Sequence, residues 1–185
     1  MTNRNARLMG RARIGALLTV LLASLAFVLS MPRTQAEPST HEYAFQKFVG
    51  TWTLEDDAFF QVWDGQTLET LTIPNHWTNC EPVNTRHSIL CAVDAGELQG
   101  HILWVVGNNN RSVRHLSHFG DRRVGVGAGQ LDDTGNLSLK LTFEDEPEGT
   151  YRLYSYRWID NDRYEMKSLQ YDQSGQATGN WYGGT

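Results

Sequence analysis

Cysteine is scarce: only Cys80 and Cys91 occur in 185 residues, too few for a disulfide-dense scaffold or a Cys-rich zinc cluster. The chain has no Gly-x-Ser-x-Gly elbow, no His-Glu-x-x-His pair and no EF-hand-like loop, so the sequence signatures of serine hydrolase, zinc peptidase and calcium sensor are all missing. Helical periodicity is weak outside residues 42–49, which argues against bundles and against alternating βα units. Positive charge is also thin. Beyond residue 36, eleven Lys and Arg stand against 21 Asp and Glu, a net charge of −10. Phosphate binding rests on clustered cations, so nucleic acid or an anionic membrane is excluded as the main partner. The run Gly125-Val126-Gly127-Ala128-Gly129 does not make a dinucleotide loop, because Gln130 stands where the third glycine belongs and no helix follows. Alternate glycines in a strand instead mark a bend or leave room for a bulky neighbour.

Long apolar runs are absent with one exception. Residues 14–31 form an uncharged stretch behind Arg4, Arg7, Arg11 and Arg13, and Thr34-Gln35-Ala36 supplies small residues at cleavage positions. This pattern predicts a signal peptide over 1–36, removed after Ala36; an uncleaved anchor is the alternative, since 18 apolar residues just span a bilayer. No cysteine marks the cleavage site and no twin arginine precedes the run, which points to general secretion without a lipid anchor. The expected product is a periplasmic or secreted protein with no stable membrane association after cleavage. Residues 37–185 suffice for a single domain that buries about two-thirds of its unfolded surface. In an oxidising compartment Cys80 and Cys91 are expected to form a disulfide, their spacing being too wide for the usual redox pair.

What the chain does contain is turn chemistry at intervals of 8–14 residues. Asp64-Gly65, Asp94-Ala95-Gly96, Gly107-Asn108-Asn109-Asn110, Gly120-Asp121, Asp132-Asp133-Thr134-Gly135, Asp145-Glu146-Pro147-Glu148-Gly149, Asp160-Asn161-Asp162 and Asp172-Gln173-Ser174-Gly175 all suit tight turns, and their acidic groups read as solvated turn carboxylates. Glu81-Pro82-Val83-Asn84 reads as a further turn between strands. The segments between predict ten strands near 51–63, 67–79, 85–93, 98–106, 111–119, 122–131, 136–144, 150–159, 163–171 and 177–182. Short consecutive connections imply an all-β, antiparallel up-and-down β-barrel of about 8–10 strands, with a short N-terminal helix after the signal peptide. The clearest alternation sets Leu137, Leu139, Leu141 and Phe143 against Ser138, Lys140 and Thr142, one face inward. On the next strand Tyr154, Tyr156 and Trp158 share a face with Arg152, which suits a pocket wall or ordinary cross-strand packing.

Gly50-Thr51-Trp52 pairs a glycine, which lets backbones approach, with an aromatic large enough to plug one end of a barrel. With the preceding Tyr43-Ala44-Phe45-Gln46-Lys47-Phe48, this stretch resembles the opening of the calycin group, the lipocalins, fatty-acid-binding proteins and their relatives. The long hairpins, the glycine-rich middle strand and the late pair GTYRLYSYRWIDNDRYEM resemble the lipocalin-like family of the DUF1579 type, whose function is unknown. The resemblance implies a non-enzymatic barrel holding a small apolar ligand, with Gly50 and Trp52 at the barrel closure. Candidate ligand-binding residues are Tyr154, Tyr156, Trp158 and Met166, with Arg114 as the anchor for a carboxylate, as in fatty-acid-binding relatives. No cofactor and no metal is expected; haem on a single histidine, as in ten-stranded haem barrels of the same group, is the alternative. Two other readings stand beside this one. A packed barrel would act as an interaction protein, presenting Trp63, Trp77 and Trp181 to a partner. An enzyme would place His87 or His118 beside a cavity.

Overall fold

The computed structural model describes residues 43–83 and 87–185, so the segment expected to direct secretion, residues 1–36, lies outside the described residues, as does Asn84. The described chain is all-β. Its strands are β1 (Gly50–Trp52), β2 (Ala58–Val62), β3 (Glu69–Thr72), β4 (Trp77–Pro82), β5 (Ser88–Ala95), β6 (Leu98–Val106), β7 (Ser112–Phe119), β8 (Arg123–Leu131), β9 (Leu137–Phe143), β10 (Tyr151–Trp158), β11 (Tyr164–Tyr171) and β12 (Ala177–Gly184). The helix expected over 42–49 is only a single 3-10 turn, Gln46–Phe48.

Two breaks raise the strand count above the expected 8–10. The strand predicted at 51–63 divides into β1 and β2 because Asp56 and Asp57 adopt left-handed backbone angles, φ 56° and 55°, which no strand can continue through. The strand predicted at 67–79 divides into β3 and β4 where Pro74 meets Asn75, at φ 63°. Proline has no N–H to give a ladder, and asparagine tolerates the left-handed region. The remaining eight expected strands coincide with β5 to β12 within three residues at every end. Glu81 and Pro82 belong to β4, not to a turn.

All neighbouring strands are antiparallel, in the order β1-β4-β5-β6-β7-β8-β9-β10-β11-β12-β2-β3. β1 pairs with β4, whereas β2 pairs with both β12 and β3. The strand at one end of the order, β1, and the strand next to the other end, β2, thus belong to one run of chain, residues 50–62, that changes neighbours at its break. There the Glu55 N–H donates to the Thr185 carbonyl at 2.8 Å, continuing the β12 contact. The result is a curled, barrel-like sheet with an inner and an outer face. Inner positions alternate faithfully: Val113, His115 and Ser117 on β7, Leu137, Leu139, Leu141 and Phe143 on β9, and Arg152, Tyr154 and Tyr156 on β10 are all buried.

Glycine-rich β8 is a strand, as expected, and its glycines are there for space. A Cβ on Gly127 would run into the Lys140 carbonyl oxygen, and one on Gly129 into that of Ser138, both on neighbouring β9. A Cβ on Gly125 would fall 2.5 Å from the Phe143 ring and 2.6 Å from the Ser117 hydroxyl. Without side chains here, β9 can press its leucines close against β8. Gly127→Ala is expected to lower unfolding stability by about 1–3 kcal/mol through overpacking, measured as a drop in the urea midpoint with unchanged m-value.

Candidate functional site

Inside the curl lies a cavity of about 1070 Å³, walled by the inner faces of most strands. Volumes of a few hundred to about a thousand Å³ are typical of sites for small molecules. Strand alternation alone sets much of the lining: Val93 from β5, Ile102 and Trp104 from β6, His115 and Phe119 from β7, Tyr154 and Tyr156 from β10, and Tyr164 and Met166 from β11. Cys80 and Cys91 also line it. They stand directly opposite each other on β4 and β5 and are joined by a disulfide. The bridge closes a loop with a sequence separation of 11, which restricts the unfolded chain and is worth about 2–4 kcal/mol.

Near the 3-10 turn the interior is filled by rings. Phe48 is 2% exposed and lies with ring centroids 5.2 Å from Trp104, 5.1 Å from Trp158 and 5.7 Å from Tyr164. Trp52 packs 5.1 Å from Tyr164 and donates its indole N–H to the Phe48 carbonyl at 2.9 Å. Such edge-to-face pairs contribute beyond the area they bury, about 0.5–1.5 kcal/mol each. Trp52 thus ties the turn to β1 and walls the cavity from below.

Around the β7–β8 and β9–β10 connections the interior is polar. Arg152, on the inner face of β10, is fully buried and donates from Nε to Glu146 at 2.5 Å. Arg123 donates to both Asp145 oxygens, at 2.8 and 2.9 Å, and to Glu146 at 3.0 Å. Gln170 adds a bond to Glu146 at 3.1 Å, and the Tyr154 and Tyr182 hydroxyls bond to each other. Burial would raise the Glu146 carboxyl, but hydrogen bonds from Arg152, Gln170 and Arg123 outweigh it and hold the group below its ordinary range. Two guanidinium groups meet two carboxylates, so the network is neutral as a whole. The Arg152 guanidinium also lies 4.7 Å from the Tyr182 ring and 5.0 Å from that of Trp63.

His115 is the other polar group on the inner wall. Its ring is 7% exposed, and its Nδ1 lies 2.9 Å from the Trp104 indole Nε1. Burial lowers its pKa from 6.5 to about 4, so the ring is neutral at physiological pH. His76, at the break between β3 and β4, also lines the cavity, and burial outweighs Asp94 and Asp57 to lower its pKa.

The residues anticipated from sequence separate clearly. Tyr154, Tyr156 and Met166 reach the cavity, and Trp158 packs behind Phe48 and Trp52. Gly50 and Trp52 stand on β1 opposite Cys80 and Thr78. Arg114 does not belong to the site. It is exposed and sits opposite Val105 and Ala128 on the outer face, because β7 turns Val113 and His115 inward on either side of it. The interior arginines are Arg123 and Arg152, and Arg152 was legible in principle from its parity with Tyr154 and Tyr156. His87 and His118 are both exposed, and His115 holds the interior place expected of a histidine. Trp63 is half-exposed but lines the cavity beside Tyr182, whereas Trp77 is exposed on β4 and Trp181 is half-buried on β12. No group of three or more His, Cys, Asp or Glu able to hold a metal occurs among the described residues. Among those residues no helix is long and apolar enough to cross a membrane.

Comparison with family models, with curated proteins and with solved structures finds no match.

Two outcomes are expected from this geometry. Glu146→Gln removes the partner of a fully buried arginine and should cost about 3–5 kcal/mol in a urea titration. A neutral buried His115 binds its proton more weakly folded than unfolded, so its contribution is complete above pH 6.5 and lost as pH falls toward about 4. The urea midpoint should therefore decline across that window, and His115→Gln should flatten the decline.

Proposed function

We propose that this chain is an extracytoplasmic, non-enzymatic binding protein, a lipocalin-like up-and-down barrel that carries a small and mainly apolar molecule. The observation that carries the reading is the aromatic-walled cavity of about 1070 Å³ inside the curled sheet. A packed interior would have favoured the interaction-protein alternative, and here the interior is hollow. Burying apolar ligand surface at about 25 cal/mol per Å² supplies the driving force, and a largely preformed wall keeps the ordering cost low. The count of strands fits the lipocalin-like reading once β1 with β2 and β3 with β4 are each taken as one broken strand. A disulfide is consistent with an oxidising compartment outside the cytoplasm. Catalysis finds less support, since His115 accepts from an indole and the buried carboxylate Glu146 is already committed to arginines.

The test is native mass spectrometry of the mature protein from its own secretory compartment, followed by denaturing mass analysis, together with titration of the apolar dye Nile red. Expected are an adduct lost on denaturation and saturable dye binding, weakened at least tenfold by Ile102→Trp, which fills the cavity from β6. Absence of both adduct and dye binding would overturn the reading.

A further inference from the structure

Beyond residue 36 the chain carries a net charge of −10, but its carboxylates are unevenly placed. The six strands β7 to β12 contain a single one, Glu165. The other Asp and Glu of this half of the chain stand in the connections, among them Asp132, Glu144, Glu148 and Asp172. Four cations on the same strands alternate with buried neighbours and so point outward: Arg114, Lys140, Arg157 and Lys167. Arg157 stands opposite Glu165. Arg114, Lys140 and Lys167 form no ion pair among the described residues, whereas Arg111, Arg123, Arg152 and Arg163 all do.

Strand register gathers these free cations with apolar side chains. One row across the outer face runs Arg114, Ala128, Lys140, Leu153, Leu169 and Trp181, each directly opposite the next on the neighbouring strand. Lys167 lies in the adjoining row, opposite Ser155. At this place the face dips into a trough of about 400 Å³, lined by Leu153, Leu169 and the small residues Ala128, Gly129, Ser138 and Ser155. Leu153 is 38% exposed and Leu169 36%, and in the row beyond, Leu116 and Val126 face each other at 49% and 47%. Rings hold two of the cations in position. Lys140 Nζ lies 3.7 Å from the centroid of the Tyr151 ring and Lys167 Nζ 4.7 Å from that of Trp181. Exposed aliphatic area, a concave shape and pre-positioned charge on one face are the features of a protein-binding surface.

We infer that this outer face docks a segment of another protein in which carboxylates and aliphatic side chains alternate. The row spans five strand spacings, about 24 Å, which about seven extended residues cover. Charge complementarity selects this occupant. A broad anionic surface, membrane or nucleic acid, would also meet the acidic connections at both ends of these strands and be repelled, whereas a short segment covers the basic rows alone. Two copies of this chain placed face to face would oppose the same three cations. A copy using a different face would make a head-to-tail contact, which gives rings or filaments.

The experiment titrates a peptide alternating Glu and Leu into the full mature protein by isothermal titration calorimetry. Saturable binding is expected, weakened at least about fivefold when Gln replaces every Glu or Ser every Leu of the peptide, and at least about tenfold by Arg114→Glu combined with Lys140→Glu. Arg122→Glu reverses an exposed cation in the β7–β8 connection and should leave the affinity unchanged. Amide shifts induced by the peptide should cluster on Ala128, Leu153 and Leu169. Lack of binding, indifference to the double charge reversal, or shifts clustered elsewhere would overturn the inference. So would tighter binding to phosphatidylglycerol vesicles than to the peptide, or a dimer in sedimentation that Lys140→Glu dissolves. Nile red binding should be the same in every variant, so these outcomes are distinct from failure of the cavity reading.

Discussion

Backbone hydrogen bonding around a curled antiparallel sheet is the constraint from which the other features of this molecule follow. Each interior strand satisfies its N–H and C=O groups on both sides, and β1 and β3, at the ends of the order, have one neighbour each. The run 50–62 supplies a strand near each end by breaking. Its first part bonds to β4 and its second to β12, with left-handed Asp56 and Asp57 between them. Once the sheet is curled in this way, side-chain alternation assigns every second residue to the interior, and the interior becomes a shaped space rather than a surface.

That space is treated differently at its two ends. Near the 3-10 turn, Phe48, Trp52, Trp104, Trp158 and Tyr164 fill it with interlocking rings. Around the β9–β10 connection, Arg123, Asp145, Glu146 and Arg152 fill it with a neutral and hydrogen-bonded ionic network. Buried ion pairs of this kind seldom add much net stability over an apolar replacement, but they fix geometry, and breaking one partner away is costly. Between the two ends the wall is largely apolar, and His115 on its inner face accepts from the Trp104 indole.

Much of the architecture was readable from particular residues. Leu137, Leu139, Leu141 and Phe143 alternate cleanly, and all four are inside. Turn chemistry placed eight of the twelve strands within three residues at each end, because Gly, Asn and Asp at those positions favour backbone angles that strands avoid. The division of two long strands was harder to foresee, since single residues such as Asn75 adopt left-handed angles only where the sheet must change partners. The site was less legible. Arg114, His87 and His118 were chosen without a parity argument, and the strands that carry two of them turn other residues inward. Arg152 lay on the same face as Tyr154 and Tyr156 in the sequence, yet its ionic partner Glu146 looked like an ordinary turn carboxylate.

The class of structure and the assignment of faces are legible in the residues alone, because turn propensity and the two-residue period of a strand are local properties. The sequence also carried the two cysteines that face each other across β4 and β5. The hollow interior, the pairing of Arg123 and Arg152 with Asp145 and Glu146, and the bond from Trp104 to His115 arise only in the folded sheet. Each of these depends on contacts between residues far apart in the chain or on neighbouring strands in one register. Volume, charge balance and hydrogen bonding are set by which side chains meet, and local pattern does not contain that information.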